Sequence, residues 1–224
     1  YVRSELIKVG FGQIESIASM AADTNGQFSN IFVIGTQPYG TTTVTATGIV
    51  SQYQANTRFM VTQQIVSISP NAGTIGTLVT VVGNGYGLSA AVRLDMGSTP
   101  SITLGNTDVN GVFTAVFTVN GQTKGTKTVT ATGVNTGAVS ATAFNIRPNI
   151  YSITPTRGTV GVIITISGNG YDIYENVYVD FGTTKTIISI RTNSIMITSH
   201  ALYERRRCST PAVDFPNQTR TEHW

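Results

Sequence analysis

The chain has 224 residues, a formal net charge of +3 and only 11% charged residues, so Thr, Ser, Asn, Gln and Gly supply most of its polar surface, as in exterior or secreted β proteins. Over residues 1–196, ten Lys/Arg lie scattered among eight Asp/Glu, which argues against the concentrated basic face of a nucleic-acid reader. No apolar stretch reaches the length of a membrane-spanning helix, so neither nucleic acid nor direct membrane insertion is expected.

The chain repeats itself at an offset of 85 residues, as in Val44 and Val129, Pro70 and Pro155, and Gly83 and Gly168. Laying residues 26–85 on 111–170 leaves 25 of 60 positions identical, including Thr-Val-Thr-Ala-Thr-Gly at 43–48 and 128–133. A fixed period of this size predicts an array of small modules.

In chain order, residues 1–63 form a partial module: Tyr1 aligns with Tyr86 and Tyr171, so the copy starts after the place of its first two strands. Its Phe28, Phe32 and Ile34 correspond to Phe113, Phe117 and Val119, which alternate on one face of a strand, and all six are expected in a core. Residues 64–148 form the complete module. Strands are predicted over 65–69, 77–82, 91–96, 101–104, 112–119, 127–132 and 139–146, separated by Gly, Asn and Pro turn signals. Seven short strands at this spacing predict an immunoglobulin-like sandwich. In the second of these strands Val79 and Val81 face inward and Thr80 outward, a pattern kept by Ile164, Thr165 and Ile166.

Residues 149–199 form another partial module, whose pattern fades near Asn193. Residues 200–224 read as an atypical tail holding both histidines, Cys208, the single Trp and Arg205-Arg206-Arg207. One cysteine permits no intrachain disulfide. The opening Tyr-Val-Arg-Ser-Glu is no signal peptide, so either a leader has been removed or the chain is a piece of something longer. Between modules no Gly/Ser-rich linker intervenes, which predicts a rigid, rod-like series.

The string 68–86, from Ile68-Ser69-Pro70 through Gly83-Asn84-Gly85-Tyr86, resembles the opening of an IPT/TIG-type immunoglobulin-like domain, and 153–171 repeats it. Asp108-Val109-Asn110-Gly111-Val112-Phe113 and 128–132 resemble the later half of tandem modules in bacterial and archaeal surface proteins. The resemblance implies an all-β fold of tandem immunoglobulin-like sandwiches, an extracellular or cell-surface location and a structural or adhesive role. It carries over no catalytic residue, because the shared motif consists of turns and core.

Chemistry-bearing motifs are few. Asp23-Thr24-Asn25-Gly26 and Asp108-Val109-Asn110-Gly111 open like a calcium loop but lack the alternating oxygen ligands and the downstream bidentate carboxylate. They suit a turn in which Asp bonds backbone amides and Asn-Gly takes positive φ. Gly83-Asn84-Gly85-Tyr86 is a bend, since strands and not a helix follow it. Asp95 and Asp180 are equivalent, with Gly10 in the first copy, and suit polar strand ends. Absence of His and Cys from residues 1–196 removes triad and His-metal schemes there, so no catalytic residue, cofactor or metal site is expected. Tyr86 and Tyr171 recur and suit packing over the Gly-x-Gly bend. Tyr171, Tyr174 and Tyr178 cluster in sequence and are the candidate glycan contact.

The chain is therefore expected to be a non-catalytic structural or adhesive segment whose partners are other copies of itself, neighbouring repeats or a surface glycan. The two partial modules fit first a fragment of a longer repeat protein, and second a head-to-tail assembly in which the opening strands of the third module complete the first module of another chain. The alternative is a carbohydrate-binding accessory region of an extracellular enzyme.

Overall fold

A computed structural model describes residues 3–193 and 199–202, with backbone only at 199–202. Every regular element among them is a β-strand. In the first unit, Leu6–Phe11 (β1), Ile14–Ala21 (β2), Gly40–Gly48 (β3) and Gln54–Val61 (β4) make one sheet of order β2-β1-β3-β4.

The middle unit holds Gln64–Ser69 (β5), Ala72–Gly73 (β6), Leu78–Asn84 (β7), Ala91–Met96 (β8), Thr99–Asn106 (β9), Phe113–Thr118 (β10), Gly125–Gly133 (β11) and Val139–Ile146 (β12). They form two sheets, β10-β7-β5 and β6-β12-β11-β8-β9. The third unit contains Asn149–Thr154 (β13), Thr165–Asn169 (β14), Asn176–Phe181 (β15), Thr184–Arg191 (β16) and Ser199–Leu202 (β17), arranged as β13-β14-β17 and β15-β16. Corresponding strands start at the sequence offset: β1, β8 and β15 begin at residues 6, 91 and 176.

The middle unit shows why this sequence folds as a sandwich. Alternation puts every second side chain of each strand on one face, and those side chains meet: Val79 and Val81 from β7, Val92, Leu94 and Met96 from β8, Phe113 and Phe117 from β10, and Phe144 and Ile146 from β12. Each is nearly or fully buried, contributing about 1.5–3 kcal/mol by removal from water. Cross-strand pairing keeps the pattern in step, with Phe117 opposite Val79 and Ala115 opposite Val81. A one-residue slip would turn this whole set to solvent.

Three expectations need correction. Phe28, Phe32 and Ile34 are not a buried core: Phe28 is 38% exposed and the other two are half-buried. In the middle unit the matching strand β10 is paired with β7 in one sheet facing the other, and the described first unit holds no counterpart of β7. Ile164 and Ile166 are likewise half-buried, because in the described third unit only β15 and β16 face them, where β8, β9, β11 and β12 form the sheet over Val79 and Val81. The middle unit has an eighth strand, β6, which pairs in parallel with β12 through Asn145 and Ile146. Two residues carry no alternation, so sequence pattern had no hold on it. The peptide bonds Ser69-Pro70 and Thr154-Pro155 are cis.

Candidate functional site

Residues that could carry chemistry are mostly committed to structure. Asp108 Oδ1 accepts the amides of Asn110 and Val112, at 2.8 and 2.9 Å, and Asp23 repeats this with Asn25 and Gln27. The Val112 amide, then that of Asn110, holds the Asp108 carboxyl below its ordinary value. Both aspartates thus serve turns. Positive φ falls on Gly26 and Gly111 alone, not on the preceding Asn. Asp95 and Asp180 sit in different units, each accepting an amide from the next strand, Ser101 at 2.7 Å and Thr186 at 2.8 Å. These amides belong to residues of positive φ, so each carboxylate stabilises a strained hairpin. Glu5, buried in the first unit, accepts the amides of Val50 and Ser51 and the Ser51 hydroxyl. Among the described residues no group of His, Cys, Asp and Glu is arranged to hold a metal ion.

The tyrosines divide. Tyr86 is fully buried, edge-on to Phe113 with ring centroids 5.1 Å apart. Its hydroxyl meets Ser140 Oγ and the Ala131 carbonyl, and burial raises its pKa, partly offset by Ser140. Tyr171 is half-buried over Gly168, where an added Cβ would lie 3.2 Å from the ring.

Tyr171 and Tyr178 line one shallow groove of about 230 Å³ with Val177, Val179 and Ile190. Tyr178 is 62% exposed. Tyr174 is outside that lining; it has φ +58°, and Arg191 stands over its ring 5.4 Å from the centroid. The sequence cluster therefore becomes a two-tyrosine groove and a separate Tyr174–Arg191 stack.

Sequence reading expected short junctions but missed the contacts there, where loops of one unit meet the bend of the next. At the first, the Tyr39 amide donates to the Tyr86 carbonyl at 2.8 Å. At the second, Lys124, which corresponds to Tyr39, pairs with Glu175 and with Asp172 at 3.4 Å. The Glu175 hydrogen bond raises the Lys124 pKa, and Lys124 in turn lowers that of Glu175. Gly85, at φ +74°, lies so close to the connector that a Cβ there would stand 2.4 Å from the Thr62 carbonyl oxygen. Tyr39 and Lys124 share a position, and that equivalence is the signal that could have revealed the contact.

Residues 148–220 match the family model described as IPT/TIG domain. This stretch is similar in sequence to IPT/TIG domains. The match begins one residue before β13 and runs through β17, which pairs with β14 as β10 pairs with β7. It spans the expected boundary between residues 199 and 200. The tail residues Arg205, Arg206, Arg207 and Cys208 lie outside the described residues.

No curated protein matches the chain. Among solved structures, it is similar to one titled "Biofilm associated protein - BSP domain", at 15% identity and TM-score 0.28, over 65% of this chain and 25% of that one. It is also similar to dimeric latent PorU from Porphyromonas gingivalis, at 13% identity and TM-score 0.25, over 88% of this chain and 26% of that one. The chain thus spans about a quarter of the length of either structure.

Proposed function

We propose that this chain is a non-catalytic structural or adhesive segment of an extracellular or cell-surface protein, working as a stiff series of IPT/TIG-type units. The observation that carries this reading is the junction. Only Thr62 and Gln63 separate β4 from β5, and only Arg147 and Pro148 separate β12 from β13. At both places a loop of the earlier unit bonds the bend of the later one. The Thr-rich outer faces and the commitment of the described carboxylates to turns, hairpins and loops support a passive surface over a reactive one. Small-angle scattering of the monomer tests it: an elongated particle with one well-defined maximum dimension is expected, and a broad distribution of compact and extended shapes would sink it.

A second reading, a carbohydrate-binding accessory region, draws on the exposed Tyr178 beside Tyr171 and on Tyr174. Aromatic faces open to water are what a sugar ring packs against. Glycan-array binding that is lost in Tyr178→Ala or Tyr174→Ala would favour it, and arrays that show no binding would remove it.

A further inference from the structure

The bends of the middle and third units share one backbone frame and carry different side chains on it. In the middle unit the Thr107 hydroxyl donates to the Gly87 carbonyl at 2.5 Å and accepts the Ala90 amide at 2.7 Å. In the third unit the Thr192 hydroxyl does the same for Asp172 and Glu175, at 2.5 and 2.8 Å. Gly87 and Ala90 stand where Asp172 and Glu175 stand 85 residues on. The frame thus accepts a neutral pair in one bend and an acidic pair in the other.

The residue that reaches each bend from the preceding unit changes in step. Tyr39 meets the neutral bend through its main chain, with its amide on the Tyr86 carbonyl. Its counterpart Lys124 meets the acidic bend through its side chain, with the ammonium on Glu175 and 3.4 Å from Asp172. Among the described residues no hydrogen bond runs from the Lys124 amide to the Tyr171 carbonyl, so the ion cluster stands in place of the backbone bond. Glu175 is aimed by the bend itself. Its Oε2 accepts the Asp172 amide at 3.0 Å, which leaves Oε1 turned to Lys124.

We propose that these positions form a pairing key between successive units: Lys124 fits a following unit with carboxylates at the places of Asp172 and Glu175, and Tyr39 fits one that is uncharged there. This rests on the chain being a structural series and names, for each unit, the kind of neighbour it takes. Wrong pairings carry their own penalty. Lys124 set on a bend like that of Gly87 and Ala90 would meet no carboxylate from it. Tyr39 set on a bend like that of Asp172 and Glu175 would leave two neighbouring carboxylates without their ammonium. Unmatched charge discriminates without any added contact in the right pairing. Units as alike as these, with 25 of 60 positions identical between 26–85 and 111–170, are prone to docking on the wrong neighbour while folding. A key at the junction tells them apart.

The test is a cycle of substitutions in the full chain, read by residual dipolar couplings of each unit. In the wild type the middle and third units should share one alignment. Lys124→Tyr mismatches the junction from one side, and Asp172→Gly with Glu175→Ala mismatches it from the other. In either variant the third unit should lose the shared alignment. All three substitutions together rebuild the pairing of the first junction and should restore it, now indifferent to high salt. A surface ion pair with no pairing role gives the opposite, a combined variant as loose as either half, and that result would overturn the proposal. Lys124 alone supplies a second readout that leaves the third unit's own residues untouched. Lys124→Arg should keep the alignment, and Lys124→Glu should lose more of it than Lys124→Tyr; equal alignment in all three would also overturn the proposal. A wild type whose units already align independently would sink the series reading and the key with it, whereas a fixed wild type with silent variants sinks the key alone.

Discussion

Gly85 joins two demands in one residue, a left-handed backbone and a connector close enough to exclude any side chain. Gly85→Ala should therefore destabilise the middle unit by about 2 kcal/mol or more, read by urea unfolding. Tyr86, next along the chain, spends its hydroxyl on Ser140 and Ala131. Tyr86→Phe should cost about 1 kcal/mol, and in the folded protein this tyrosine should ionise later than its ordinary value. Because its folded pKa is raised, the stabilisation stands below the unfolded pKa and is lost as pH rises toward the folded one. Asp108 runs the other way: its pKa is depressed, so its contribution stands above the ordinary carboxylate range and is lost as pH falls through the lowered value. Asp108→Asn should flatten that acid limb in urea titrations. At this scale the roles of Asp108, Gly85 and Tyr86 were legible because turn and bend chemistry is local. The Tyr174–Arg191 stack was not, because it depends on a hairpin bringing residues 17 apart together.

Among the elements, β8 and β12 fall where alternation and turn residues put them, at Ala91–Met96 and Val139–Ile146. Segment 28–34 shows the limit of that reasoning. Period-2 alternation tells which side of a strand is apolar, but whether a second sheet lies there depends on distant chain. The two junctions should also behave differently as elements. The first is a backbone hydrogen bond from Tyr39 to Tyr86 and should tolerate salt. The second rests on Lys124 with Glu175 and Asp172, partly exposed charges that high ionic strength screens. In 1 M salt, or in Glu175→Gln, the angle between middle and third units should become more variable in scattering or residual dipolar couplings while that at the first junction holds. Acid should do the same once pH falls through the lowered Glu175 value, with the Lys124 charge persisting to beyond its ordinary range.

Over the whole molecule, the sequence offset reappears in the strand starts, and the IPT/TIG match covers the part whose repeat was least regular. The candidate contact surface was less accessible to sequence reasoning, since Tyr171, Tyr174 and Tyr178 are near in number yet Tyr174 stands outside the groove that the other two line. The connectors of Thr62 with Gln63 and of Arg147 with Pro148 have a further effect at this scale. Each places the next bend directly under the previous carbonyl, Thr62 against Gly85 and Arg147 against Gly170, leaving no slack to absorb an added residue. Such a series works as a ruler: reach is set by how many units are strung together, and lengthening one connector by a single residue would change the pitch of everything beyond it.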